Sequence, residues 1–230
     1  MTGATERPPA SDVDFWDAWH EHRLDRPHRD QPSGLAVSMA RHFTVPGTLL
    51  DLGYGEGVDT LYFAKAGHRV TGVDIAPTAV QRVKSRAEYR ECEDRISLIE
   101  GDLIDLMSFA SEQFDCIYSS LALHYFDCEQ TEHLFAELHR VCKPGGNLVF
   151  SVKSTSDPLY GKGLEIDEDM FYYNGHRRHF FSIEYSSKLL ASWIVKELSE
   201  VSGYYGSQDQ PNWFVHAAAT KAVETNGGSG

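Results

Sequence analysis

The chain has 230 residues, 41% of them hydrophobic and 24% charged, with 19 glycines spread along it. These are ordinary values for one globular domain whose core needs no disulfide staples, and they exclude a fibrous repeat or a disordered chain. With 34 acidic against 21 basic residues the net charge is −13, opposite in sign to what a phosphate backbone or an anionic membrane selects, so neither nucleic acid nor membrane is an expected partner.

Cys92, Cys116, Cys128 and Cys142 contain no C-x-x-C pair and fit neither a zinc site nor a disulfide framework, so a cytoplasmic setting is expected. Residues 1–14 hold no apolar signal-peptide core, and the longest uncharged, mainly apolar run, Cys116 to Phe126, is too short to cross a bilayer. The terminal GGSG reads as a flexible tail.

From Gly47 onward apolar strands alternate with amphipathic stretches, the pattern of a parallel sheet covered by helices on both faces. Residues 47–52 (GTLLDL) are the expected first strand, running through a glycine-rich turn into a helix over 58–66. Residues 68–73 are the second, followed by a helix with Pro77 in its first turn and Ala79, Val80, Val83 and Ala87 on one face. The third and fourth strands fit 96–100 and 114–119. Asp127, with Gln130 three residues on, makes a capping-box variant that opens a helix whose Leu134, Leu138 and Val141 face inward. Pro144 and Gly145 are expected to stop that helix before a fifth strand over 147–153, and the four crossovers should be right-handed.

Residues 154–181 carry Asp157, Glu165, Asp167, Glu168 and Asp169 among aromatics and glycines, too long for an ordinary connection, and read as a lid inserted after strand five. A helix over 182–192 follows. Two apolar segments, 193–204 and 213–220, flank a turn-rich GSQDQPN stretch as an antiparallel pair at one sheet edge. The expected fold is α/β, a seven-stranded mostly parallel sheet with helices on both faces. Residues 1–33 would be an N-terminal helical cover, 34–222 the main domain and 223–230 a tail.

Chemistry concentrates in LLDLGYGEG at 49–57, where the first strand runs into Gly53, Gly55 and Gly57. Glycine permits positive φ and close approach of backbone to a ligand, and the helix that follows offers free N–H groups. The dinucleotide fingerprint G-x-G-x-x-G needs glycine at 58, where this chain has Val58. An acidic residue, Asp74, ends the second strand in VTGVD. GDL at 101–103 follows the third, FDCIYSSLALHYF at 114–126 contains the fourth, and RVCKPGG at 140–146 precedes the fifth.

In this order and spacing the chain resembles the class I S-adenosylmethionine-dependent methyltransferases over about residues 45–155, with Tyr54 standing where many members carry a small residue or cysteine. The resemblance implies S-adenosylmethionine as cofactor, held by Asp51, Gly53, Tyr54, Gly55 and Gly57 of the loop, by Asp74 at the ribose, by Asp102 and Leu103 at the adenine, and by Ile75 and Ser119. The fourth motif has Ser119, Ser120, Leu121 and Ala122 in place of an N-P-P-Y-like sequence, which by resemblance argues against methylation of nucleobase amino groups.

The opening DFWDAWHEHRLDRPHRDQPS is similar to the tryptophan-rich segment of the thiopurine and tellurite-resistance branch of that family, where it covers the cofactor. That adds Trp16 and Trp19, because an aromatic face within about 6 Å attracts a sulfonium, although simple packing of the helix onto the sheet would use the same residues. His124 and Tyr125, at the carboxyl edge where open α/β sheets bind ligands, are the catalytic candidates, His124 as a base near neutral pH or merely as a partner of a neighbouring loop.

In the lid, Tyr160, Tyr172, His176 and His179 are the substrate-contact candidates, with Glu165, Asp167 and Tyr173 beside them; its acids would suit an amine-bearing substrate or form a solvated face. No metal is expected, since the 11 histidines include no H-E-x-x-H pair. The implied activity is methyl transfer to nitrogen, oxygen or sulfur of a small molecule. An aminopropyl transferase and a cofactor-binding protein without turnover are the alternatives.

Overall fold

The computed structural model describes residues 11–22, 31–43, 45–86, 88–204 and 210–223. Ala87, most of the GSQDQPN stretch and the terminal tail lie outside the described residues. Two short helices come first, α1 (Asp12–Glu21) and α2 (Gly34–Met39). The Ser11 hydroxyl accepts the Asp14 N–H at 3.1 Å and so caps α1, whose first turn carries Asp12 and Asp14, the charge that a helix N-terminus favours.

The alternating portion runs β1 (Thr48–Leu52), α3 (Val58–Lys65), β2 (Arg69–Asp74), α4 (Pro77–Lys84), the one-turn α5 (Tyr89–Cys92), β3 (Ile96–Glu100), β4 (Phe114–Ser120), α6 (Cys128–Val141) and β5 (Cys142–Lys153). Then come β6 (Leu164–Asp167), β7 (Met170–Tyr173), β8 (His176–His179), α7 (Ile183–Leu189), β9 (Trp193–Gly203) and β10 (Asn212–Lys221).

Seven strands form one sheet in the order β3-β2-β1-β4-β5-β10-β9. The first five pair in parallel and β10 runs antiparallel to both its neighbours, which is the mostly parallel sheet expected from the sequence. Leu49, Leu50 and Leu52 of β1 and Leu148, Val149 and Phe150 of β5 are all buried, the continuous burial of strands covered on both faces. On one face α6 packs Leu134, Leu138 and Val141 against Leu50 and Phe150; on the other, α2 and α3 pack Leu35, Met39, Leu61 and Phe63 against Leu49 and Val149. Each such side chain contributes roughly 1.5–3 kcal/mol on burial. The capping box of α6 forms as expected, with Gln130 N–H donating to Asp127 Oδ1 at 2.8 Å and Asp127 N–H to Gln130 Oε1 at 3.2 Å.

Two expectations need correction. Pro144 and Gly145 do not separate α6 from the fifth strand: the helix ends at Val141 and β5 begins at Cys142. Phe114 pairs with Cys142 but Cys116 with Asn147, so a register irregularity absorbs the proline, which has no N–H for the ladder, and Gly145, whose φ is +79°. The lid is also more regular than its composition suggested, for β6, β7 and β8 form a separate antiparallel sheet. Tyr173 pairs with His176 across Asn174-Gly175, both at positive φ, a two-residue hairpin whose sequence is the strongest short-range signal for one.

Candidate functional site

The chain leaves β1 toward β2 and β3 on one side and returns to β4 on the other, so a crevice opens at the carboxyl ends of β1 and β4, where open α/β sheets bind ligands. There a cavity of about 1000 Å³ lies between the glycine loop, the turn after β4, α1 and the lid sheet.

The loop is built by close packing. A Cβ on Gly53 (φ +73°) would come within 2.3 Å of Ala122 Cβ, and one on Gly57 (φ +70°) within 2.4 Å of Val83 Cγ2. At Gly55 the nearest atom would be His20 Cε1 at 3.6 Å, so the loop faces α1 across a narrow gap. Gly55 N–H donates to Asp74 Oδ2 at 2.8 Å and Ala76 N–H to Asp74 Oδ1 at 3.0 Å. Burial pushes the Asp74 carboxyl up and these two bonds draw it down, with a net rise. Ile75 N–H and the nearby His20 also draw it down.

Asp51 is buried and accepts from Thr60 Oγ1 at 2.6 Å; desolvation above all, then Asp59 and Asp74, pushes its pKa up to about 8. Asp59 accepts from Ser33 N–H at 2.7 Å and from Tyr118 Oη at 2.6 Å, and Tyr118 lies 2.9 Å from Ser33 Oγ. Tyr54 stacks on the bare face of Gly72, where a Cβ would lie 2.7 Å from its ring. Its hydroxyl is buried without a partner among the described residues, as is Glu56 Oε2, and burial beside Asp74 raises the Tyr54 pKa. Ile75, Asp102 and Leu103 complete this end, with Asp102 Oδ1 accepting Ile104 N–H at 3.1 Å.

α1 closes one side. Trp16 and Trp19 are half-buried and line the cavity, and Trp16 lies 4.7 Å from Tyr125 and 6.0 Å from His176 between ring centroids. Phe15 meets His176 at 4.8 Å and Asp12 pairs with Arg177 at 2.5 Å, so the cover and lid are joined by rings and a charge pair.

His124 sits in a single helical turn after β4, fully buried, with Nδ1 unpartnered among the described residues. Burial first, then Arg178, Lys153, His176 and His179, hold its pKa well below the usual value, so the imidazole is neutral at pH 7. His176 is held at about 4 by burial and Arg178. Both rings and Tyr125 line the cavity.

Four candidates from the sequence do not line it. Ser119 is buried with its hydroxyl donating to Leu52 O at 3.0 Å, joining β4 to β1, and Ser120 faces the cavity instead. Tyr160 donates to Asp169 at 2.6 Å on the exposed side of the lid, Tyr172 is turned away, and His179 lies buried behind the cavity, its Nδ1 3.1 Å from the Phe126 carbonyl oxygen.

The acids of the lid do not face the cavity either. Asp157 is buried against Lys153 at 2.7 Å and also accepts from the Leu159 and Trp213 N–H groups at 3.0 and 2.9 Å. Asp167 accepts from Cys128 N–H at 3.3 Å and Asp169 from Tyr160, while Glu165 and Glu168 are exposed. The lid end is lined instead by Lys153, Arg178, His124, His176 and His216, a set the sequence reading missed apart from the two histidines. Arg178 was legible in HRRH at 176–179, because strand alternation puts residue 178 on the face of residue 176.

Residues 49–146 match the family described as methyltransferase domain. An uncharacterized methyltransferase of Synechocystis sp. is 32% identical over 123 residues, covering 53% of this chain and 51% of the relative. Over residues 49–146 the chain thus matches a methyltransferase domain, and its sheet is the mostly parallel seven-stranded one of the class I methyltransferase fold. A 2-heptyl-1-hydroxyquinolin-4(1H)-one methyltransferase of Mycobacteroides abscessus is 31% identical over 124 residues, 53% of each protein, so the match spans about half the length of these curated relatives. Among solved structures, the Burkholderia thailandensis 1,6-didemethyltoxoflavin-N1-methyltransferase, with its substrate and S-adenosylhomocysteine bound, superposes with a TM-score of 0.69 at 20% identity over 91% of this chain and 86% of that one. No helix among the described residues is long and apolar enough to cross a membrane.

Proposed function

We propose that this chain transfers a methyl group from S-adenosylmethionine to a small molecule held under the lid. The observation that carries the reading is a carboxylate, Asp74, clamped to the glycine loop by Gly55 N–H at 2.8 Å, both facing a cavity of about 1000 Å³. Small-molecule sites commonly occupy about 300–1,000 Å³, so this one has room for a cofactor and an acceptor together.

The residues present fit the cofactor. The Asp74 carboxyl at the end of β2, facing the cavity, suits the ribose hydroxyls, the second oxygen of Asp102 and the Leu103 N–H suit the adenine edge, and the acidic set Asp51, Asp59 and Asp74 suits a cation. The unpartnered Tyr54 hydroxyl and Glu56 Oε2 are buried polar atoms of the kind a ligand satisfies. When bound, the cofactor supplies an electrophilic methyl whose bonding pair stays with sulfur.

The protein's part is to hold the acceptor in line and exclude water, and positioning alone accounts for a large share of such a barrier. Trp16, Trp19 and the lid wall off one side, Tyr125 and His176 floor the acceptor end, and residues 1–33 and 154–181 act as cover and lid. His124, buried and neutral, orients the acceptor or takes its proton where the acceptor arrives protonated.

The quinolone and toxoflavin relatives act on compact heteroaromatics, which supports an acceptor of similar size. The test is transfer of labelled methyl from S-adenosylmethionine to a panel of phenols, thiols, amines and carboxylic acids, alongside thermal unfolding with S-adenosylhomocysteine. At 100 times its Kd that ligand should stabilise the fold by about 2.7 kcal/mol. No shift with either ligand would refute the cofactor assignment, and a shift without turnover on any panel would favour a binding protein.

A further inference from the structure

The two ends of the cavity are built of opposite kinds of group, carboxyls at one and cationic side chains at the other. Asp51, Asp59 and Asp74 stand at the glycine-loop end, and Lys153 and Arg178 at the lid end with three histidines. The cations near the lid are not equivalent. Lys153 is neutralised by Asp157 at 2.7 Å and further held by Asn212 Oδ1 at 2.5 Å and the Phe214 ring at 4.8 Å. Arg177, on the other face of β8, pairs with Asp12 at 2.5 Å.

Arg178 forms no ion pair among the described residues; its guanidinium hydrogen-bonds the Tyr125 hydroxyl. Every acid that might have answered it is engaged or turned away: Asp157 has both oxygens occupied, Asp167 holds Cys128 N–H, and Asp169 holds Tyr160. Asp157 acts on Arg178 only at a distance while its oxygens are taken by Lys153, Leu159 and Trp213, so the half-buried guanidinium has no paired carboxylate, and its planar fork of five N–H donors matches one in two-point geometry.

Resting on the methyl-transfer reading above, we infer that the acceptor is a carboxylate-bearing small molecule, bound through that carboxylate to Arg178 at the lid end of the cavity. The opposite polarity of the two ends sorts the ligands: the cationic cofactor goes to the acidic end and the anionic acceptor to Arg178. An amine-bearing acceptor would meet like charge at the position it has to occupy.

The test uses the full chain saturated with S-adenosylhomocysteine and shape-matched probe pairs by calorimetric titration: benzoate and benzylamine, phenylacetate and phenethylamine, indole-3-acetate and tryptamine. The expected result is binding of acids at least tenfold tighter than of their amine partners. Arg178→Gln should weaken acid binding at least tenfold, Arg178→Lys should recover part of it, and Arg178→Glu should invert the preference, with the S-adenosylhomocysteine Kd within twofold throughout.

Amines that bind as tightly as acids, or an acid affinity indifferent to Arg178→Gln, would overturn the inference, as would a panel in which no acid binds. Should a variant fail to fold, the acid-over-amine preference of the unaltered chain still decides. Failure of S-adenosylhomocysteine to bind is a separate outcome: it removes the cofactor assignment, and the acid panel run on the chain alone then tests Arg178.

Discussion

Asp51→Asn should stabilise the ligand-free protein at neutral and alkaline pH. Burial raises the Asp51 pKa from 3.8 to about 8, so at pH 7 the native state holds a proton that the unfolded chain has released. A folded pKa above the unfolded one means stability that is complete below about pH 4 and is lost as pH rises toward 8, at about 1.4 kcal/mol per unit. Over the three units from pH 4 to pH 7 that amounts to roughly 4 kcal/mol, an order-of-magnitude figure. Asparagine keeps the shape and an oxygen for the Thr60 hydroxyl at 2.6 Å but has no proton to release. Urea unfolding at pH 5, 6, 7 and 8 should therefore show the variant gaining on the parent with each step, reaching an advantage of about 2–4 kcal/mol at pH 8. Cofactor binding should weaken in the same variant, because a cation at this end favours the ionised carboxylate. A variant less stable than the parent at pH 8, or an offset that does not change with pH, would show that Asp51 is not a neutral carboxyl in the free protein.

Three further outcomes follow from the geometry. Asp74→Ala removes the acceptor of Gly55 and Ala76 N–H as well as the proposed ribose contact, so S-adenosylhomocysteine binding should weaken by about 2–3 kcal/mol in calorimetry; an unchanged Kd would move the ribose site elsewhere. Gly53→Ala puts a Cβ 2.3 Å from Ala122 at a φ of +73° and should lower stability by about 2–4 kcal/mol in thermal unfolding, whereas a neutral result would mean the loop relaxes freely. A chain beginning at Gln31 keeps Ser33 for Asp59 and should retain its circular dichroism while losing turnover on a verified acceptor; collapse of the fold would make Trp16 a core residue, and full turnover would refute the cover.

The sheet and the glycine-loop end of the cavity were legible because their signals are local. Strand runs, the glycine loop and the Asp127 capping box lie within a few residues of one another, and each dictates its structure by sterics or by a single hydrogen bond. The acceptor end was not, since it is assembled by pairing across distance. Asp157 looked like one more lid acid until β5 brought Lys153 and β10 brought the Trp213 N–H against it, and Ser119 and Ser120 differ only in which side of β4 they face. Some of what was missed was nonetheless written in the sequence. Asn174-Gly175 announced a hairpin, and with the hairpin the alternation His176, Arg177, Arg178, His179 assigns faces: histidine 176 and arginine 178 to the cavity, arginine 177 to Asp12 and histidine 179 to the packing behind.

The charge on Arg178 and the neutrality of His124 bear on each other. An imidazole whose pKa is held well below its ordinary value by burial and by Arg178 and Lys153 is a weak base at pH 7, poorly suited to deprotonating a hydroxyl or an ammonium. That would be a defect if the acceptor arrived protonated. A carboxylate clamped on Arg178 is the acceptor's anchor and not its attacking atom, but its negative charge offsets the part of the suppression that Arg178 exerts on His124, leaving the ring better able to accept or donate a hydrogen bond. Burial and the Arg178 charge together thus make His124 a poor base in the empty site, and the acceptor's own carboxylate is what lifts the second of the two.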